Sequence, residues 1–241
     1  MRIARSVAAL VLAAVAGAAN AGVSSAWTLA SDYDYRGIAQ TAQDPAIQAS
    51  LDYAHDSGWY IGAWGSNVDF GDLDVDYEID LYSGFAGKTA RGLGWDAGIL
   101  FYTYHDDSNP DFVEVYAALG YSWFKGKLSY SNDFGGDTTE GNTPAWYFDG
   151  SASIPLPENF SVLAHVGYSF GDYWDDLQQA GTGRPYLDYS IGVGYALGCF
   201  NLALKWIDGS DFRQAEAAPR NVLSTEPRLV FTFATAFPWG Q

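Results

Sequence analysis

Val75-Asp76-Tyr77-Glu78-Ile79-Asp80-Leu81-Tyr82-Ser83-Gly84-Phe85 changes character at almost every step. Val75, Tyr77, Ile79, Leu81 and Phe85 fall on one side of an extended chain, and Asp76, Glu78 and Asp80 on the other. A period of two marks a β-strand whose faces meet two different environments.

The same period runs outward in both directions. Upstream, Trp27, Leu29, Tyr33 and Tyr35 alternate with Thr28, Asp32 and Asp34, and Ile47, Ala49, Leu51 and Tyr53 with Gln48, Ser50 and Asp52. Trp59, Ile61 and Ala63 form a weaker third segment. Downstream come segments around Leu93–Phe101, Val113–Trp123, Leu128–Tyr130, Trp146–Ile154, Val162–Phe170, Leu187–Tyr195, Phe200–Trp206 and Leu229–Phe237. Together with Val75–Phe85 these give about twelve strands, with ten or fourteen also compatible with the pattern.

Connection lengths alternate as well. Those at 55–58, 87–92, 124–126, 157–159 and 197–199 are tight, whereas those at 36–45, 69–74, 105–111, 135–143, 171–185 and 208–225 are mostly longer and polar. Short turns on one side and long loops on the other characterise outer-membrane barrels. Aromatics crowd the strand ends at Tyr33, Tyr35, Tyr53, Trp59, Tyr121, Trp123, Tyr168, Phe170, Trp206 and Phe237, as expected of girdles at headgroup level. Hydrocarbon offers no partner for backbone N–H and C=O groups, so a spanning sheet must close on itself. The fold expected is all-β: a closed antiparallel transmembrane β-barrel.

The N-terminus and composition fit that reading. Arg2 and Arg5, an apolar run over Val7–Val15 and Ala19-Asn20-Ala21 have the layout of a cleaved signal peptide. The barrel domain then covers residues 22–241. A leader with two of the 12 basic and none of the 29 acidic residues leaves a mature charge of 10 − 29 = −19, which argues against nucleic acid as a partner. Gly 27 and an aromatic content of 17% suit many short strands and turns. Mean hydropathy near zero, −0.10, is compatible with a membrane barrel because only alternate residues face lipid. Cys199 stands alone, so it forms no internal disulfide.

A more specific resemblance lies in the N-terminal third. Ser31-Asp32-Tyr33-Asp34-Tyr35-Arg36-Gly37-Ile38-Ala39-Gln40-Thr41 leads into Pro45-Ala46-Ile47-Gln48, Leu51-Asp52-Tyr53, His55, Ser57-Gly58, Tyr60, Gly62 and Trp64-Gly65-Ser66-Asn67-Val68. This stretch resembles the TorF family of porin-like proteins, also described as a domain of unknown function in outer-membrane proteins. The resemblance covers about residues 29–90. It implies an outer-membrane barrel with porin activity, and neither a substrate nor catalytic residues.

If the apolar face meets lipid, the opposite face lines a lumen. Its expected pore-lining members are Asp32, Asp34, Asp52, Asp76, Glu78, Asp80, Asp96, Glu114, Asp149, His165, Asp188, Lys205 and Arg228, with Arg36 as a further base. Carboxylates in a narrow wet pore attract cations, so the expectation is passive diffusion of small solutes with a preference for cations. The alternative is a barrel plugged by its own acid–base pairs, a structural or adhesion scaffold. The loop at 208–225, with Arg213, Glu216 and Arg220, is long enough to fold inward.

Other chemistry has weaker support. An outer-membrane lipid hydrolase needs a nucleophile and a base, and His105 beside Asp106, Asp107 and Ser108 is the one group of that kind. No G-x-S-x-G occurs, and Asp and Ser favour loops in any case. Asp69, Asp72, Asp74 and Asp76 around Gly71 have oxygens that suit calcium, but the spacing matches no EF-hand and reads as a solvated loop. Asp172, Asp175 and Asp176 read likewise. The expectation is therefore a non-enzymatic barrel without cofactor or metal. Its partners would be outer-membrane lipids, small solutes, and the barrel-assembly machinery acting on a C-terminal strand that ends at Phe237.

Overall fold

Pairing between neighbouring segments turns the alternation into a wall. The computed structural model describes residues 22–71, 75–105, 109–138, 143–210 and 222–239. Twelve strands close a barrel: β1 (Gly22–Ala30), β4 (Ala46–Ala54), β5 (Trp59–Asn67), β6 (Tyr77–Lys88), β7 (Gly94–Tyr104), β8 (Phe112–Tyr121), β9 (Phe124–Ser131), β10 (Ala145–Pro155), β11 (Phe160–Phe170), β12 (Tyr186–Leu197), β13 (Phe200–Gly209) and β14 (Arg228–Trp239). A two-residue pair, β2 (Asp34–Tyr35) and β3 (Ile38–Ala39), stands apart from the wall, and α1 (Asp172–Ala180) lies in the β11–β12 connection.

Every wall contact is antiparallel between chain neighbours, apart from β1, which pairs with β14 along Val23↔Trp239 to Ala30↔Thr232. That seam satisfies the edges an open sheet would leave bare. Along β6 the two environments are plain: Glu78 and Asp80 are 2% and 3% exposed, and Ile79 and Leu81 are 47% and 51% exposed. Ile47, Leu51, Ile99, Val115, Ile191, Val193 and Leu229 continue the same outward apolar surface around the barrel. So continuous an apolar face is unsuited to water and suited to hydrocarbon.

Aromatic pairs mark both ends of the outer surface. Tyr53–Trp59 and Phe160–Tyr195 lie toward the short turns, whereas Tyr130–Trp146, Trp146–Phe170 and Tyr189–Trp206 lie toward the long loops.

Several boundaries differ from the sequence reading. β1 stops at Ala30, and Tyr33 and Tyr35 turn into the lumen rather than joining an outer girdle; Tyr33 is 4% exposed. Val75 precedes β6 and packs inside with Tyr33, Trp64 and Val68. Residues 124–126 belong to β9, and the tight turn is Ser122–Trp123, with Ser122 at φ 56. Phe237 does not end the last strand, because β14 runs on to Trp239. Residues 1–21, which carry the expected signal peptide, and Arg213, Glu216 and Arg220 lie outside the described residues.

Candidate functional site

The chain between β1 and β4 folds back into the barrel. Its core is the β2–β3 hairpin, whose two turn residues, Arg36 (φ 53) and Gly37 (φ 84), both have positive φ. That pattern belongs to a type I′ turn and usually falls to Asn-Gly; here an arginine accepts it. Thr41 fixes the base: its Oγ1 accepts from the Tyr33 N–H at 3.0 Å and lies 3.0 Å from Asp32 Oδ1 and 2.6 Å from Asp44 O. Backbone bonds from Ala39 N to Ser224 O and from Asp69 N to Gln40 O tie the hairpin to two neighbouring loops.

Side chains then anchor the hairpin to the wall. Arg228 at the start of β14 donates through Nε to Asp32 Oδ2 at 2.6 Å, through Nη1 to the Gly37 carbonyl at 3.0 Å, and through Nη2 to Asp34. Burial pushes the Asp34 carboxyl up from the ordinary carboxylate range, and the Arg228 guanidinium pulls against it. Tyr33 packs edge-on against Trp64 and donates to Glu78 Oε1 at 3.1 Å. At the tip, Arg36 donates to Glu114 on β8, which lies five strands from β1 one way round the barrel and seven the other. Its guanidinium carbon lies 4.2 Å from the Tyr147 ring centre, 4.7 Å from Tyr35 and 5.8 Å from Phe134. The hairpin therefore spans the lumen.

Above it, on the long-loop side, Trp174 of α1 packs with Ile38, Ala145 and Tyr186, and Phe134 and Leu223 lie against that group. Toward the short turns, small inward side chains such as Ala86, Ala118 and Ser153 stand beside larger ones such as Tyr60, Asp96 and Lys125.

The wall carries its own polar network. Tyr82 donates to Asp52, and Tyr60 to Asp96 at 2.7 Å, with Tyr116 bonded to Tyr60. These rings lie over glycines of the adjacent strand. A Cβ on Gly62 would strike Tyr82, one on Gly98 Tyr116, and one on Gly84 Tyr60. At these positions the absence of a Cβ leaves room for a ring from the neighbouring strand. His165 of β11 stands between two carboxylates, Nδ1 at 2.9 Å from Asp149 and Nε2 at 2.6 Å from Asp188. Both nitrogens face acceptors, so the geometry calls for a proton on each.

Of the thirteen residues expected to line the lumen, Asp52, Glu78, Asp80, Asp96, Glu114, Asp149, His165, Asp188, Lys205 and Arg228 project inward from the wall. Asp32 and Asp34 are inside on the folded-in segment instead of on a strand. Asp76 is corrected: it precedes β6, is exposed at the rim, and its carbonyl accepts from the Val68 N–H. Lys127 was missed, because 124–126 reads as a turn. Its Nζ is 3.9 Å from Glu114 Oε1, and Lys125 points inward two residues before it. The outward parity of Leu128 and Tyr130 places Lys127 inside, and that signal was present in the sequence.

The charges are unevenly distributed. From β4 to β7 the inward carboxylates are Asp52, Glu78, Asp80 and Asp96, and the base of the same parity, Lys88, is exposed at the short-turn end of β6; Lys125, Lys127, His165, Lys205 and Arg228 all stand between β9 and β14. His105 is exposed, and Asp106 to Ser108 beside it lie outside the described residues. In the supposed calcium loop Asp69 Oδ1 accepts from the Gly71 N–H at 2.9 Å, and Asp72 and Asp74 lie outside the described residues.

Comparison with known proteins places this geometry. Residues 14–237 match the family described as "Bacterial protein of unknown function (Gcw_chp)". The chain belongs to that family. No curated protein matches the sequence. Among solved structures, this Gcw_chp chain is similar to the NanC porin at 11% identity, with 89% of this chain and 98% of that one covered and a TM-score of 0.55. It is also similar to the KdgM porin at 6% identity, with 90% and 99% covered and a TM-score of 0.54. At such identities the likeness is one of fold: a twelve-stranded antiparallel barrel.

Proposed function

We propose that this Gcw_chp chain is an outer-membrane channel through which small solutes diffuse passively, with a preference for cations. One observation carries the reading: a closed barrel whose outer face is apolar and whose inner face is charged and polar. Porins share the fold, and the resemblance of residues 29–90 to TorF proteins points the same way. Cation preference rests on the acid-rich wall from β4 to β7 and on the surplus of inward carboxylates over bases. The role is transport without catalysis. Export by a leader at residues 1–21 and insertion through the C-terminal strand belong to the same proposal.

The inward hairpin favours a second reading, a plugged scaffold that binds through its outer loops. Swelling of vesicles containing the refolded protein separates the two. A channel gives solute-dependent swelling with small sugars and amino acids, and a plugged scaffold gives none.

A further inference from the structure

Arg36 is a cation held in a box built by other parts of the chain. Glu114 of β8 supplies the carboxylate, Tyr147 of β10 a ring face, and Phe134 of the β9–β10 connection a second ring. Arg36 arrives there on a hairpin rooted on the far side of the lumen, at β1, β4 and β14. Its side chain is 8% exposed and that of Glu114 1%. A carboxylate framed by rings suits a planar, delocalised, weakly hydrated cation better than a compact ammonium.

Two further features suit a hairpin that leaves this position. Arg36, Ala42 and Gln43 all hold left-handed backbone (φ 53, 53 and 66), which non-glycine residues adopt at a cost and which concentrates at switching segments. Lys127 stands 3.9 Å from Glu114 Oε1, so the buried carboxylate keeps a cation nearby when Arg36 withdraws.

We infer that the β2–β3 hairpin is a gate, and that Glu114, Tyr147 and Phe134 form a binding site for organic cations of the guanidinium class, a site that Arg36 fills while the gate is shut. A solute bearing a guanidinium competes with Arg36 for Glu114, and by occupying the box shifts the hairpin toward its released state. The inference rests on the porin reading and adds a solute class to it.

Single-channel recording of the refolded protein in planar bilayers tests it, with guanidinium chloride at low millimolar concentration as the probe and sodium chloride as the control. Arg36→Ala and Glu114→Gln each raise the open probability by about tenfold, as loss of one charge-assisted hydrogen bond implies. Guanidinium raises the open probability of the wild type and lowers the unitary current of Arg36→Ala. Sodium does neither, and Glu114→Gln responds to neither ion. Heat-dependent gel mobility identifies folded variants, and if Arg36→Ala fails to fold, the wild type and Glu114→Gln carry the test. Conducting channels in which both variants gate like the wild type, or a guanidinium response that survives Glu114→Gln, overturn the gate while leaving the porin reading in place. Inserted barrels that never conduct, wild type and variants alike, overturn both.

Discussion

Arg228 Nε lies 2.6 Å from Asp32 Oδ2 although the two residues are 196 positions apart in the chain. The contact joins the last strand to the segment that leaves the first, beside the seam that closes the barrel through β1 and β14. The same guanidinium holds Asp34 and the Gly37 carbonyl, so one side chain makes three contacts to the folded-in segment.

Arg228→Met leaves two carboxylates inside the barrel without their cation. Breaking a buried pair by removing one partner costs about 3–5 kcal/mol. Urea titration of the protein in lipid vesicles, followed by tryptophan fluorescence, is expected to show a loss of that size. A replacement of Asp32 and Asp34 by Asn in the Arg228→Met background is expected to recover part of it.

Gly62→Ala places a methyl group against the Tyr82 ring, 2.6 Å from its Cζ. Overpacking of this kind costs about 1–3 kcal/mol. In a Tyr82→Ala background the same change has space and is expected to be close to neutral. A double-mutant cycle on unfolding free energy reads the coupling directly, and simple additivity would contradict the ring-over-glycine packing.

Leu81→Arg tests the outer face. Leu81 is 51% exposed and sits within β6 opposite Ala63 and Phe101. On a lipid-facing surface near the midplane the change costs about 2–4 kcal/mol, whereas on a water-facing surface it costs little. Folding efficiency into vesicles, scored by gel mobility, distinguishes the two.

Charge changes on the two walls are expected to act in opposite directions. Asp52→Asn with Asp96→Asn weakens cation preference, and Lys125→Gln with Lys127→Gln strengthens it, because each wall biases the ions passing along it. Reversal potentials of the paired variants against the wild type read both signs.

The barrel was legible because lipid and lumen impose opposite demands on alternate residues. Glu78, Ile79, Asp80 and Leu81 declare their faces without reference to any neighbour. The hairpin was not legible, because Ser31 to Tyr35 continues to alternate apolar and acidic residues after β1 has ended. A period of two gives the side of an extended chain on which a residue lies, but it cannot tell that the chain itself has turned inward. Inside the lumen Tyr33 meets Trp64 and Glu78, an environment as apolar as an outer girdle and with a partner for its hydroxyl. Length and charge pointed to 208–225 as a loop able to fold inward, and most of it lies outside the described residues. The described segment that turns in is the one between β1 and β4, held by Arg228 and Glu114, whose distances from it in the chain hide the contact.

The central claim is a charged, conducting lumen inside a lipid-facing barrel, and its most direct test is the reversal potential of the refolded protein in a planar bilayer under a potassium chloride gradient. Discrete current steps with a reversal potential displaced toward the potassium equilibrium value are predicted. Inserted barrels that stay silent, or channels whose reversal potential lies on the chloride side, would contradict the account.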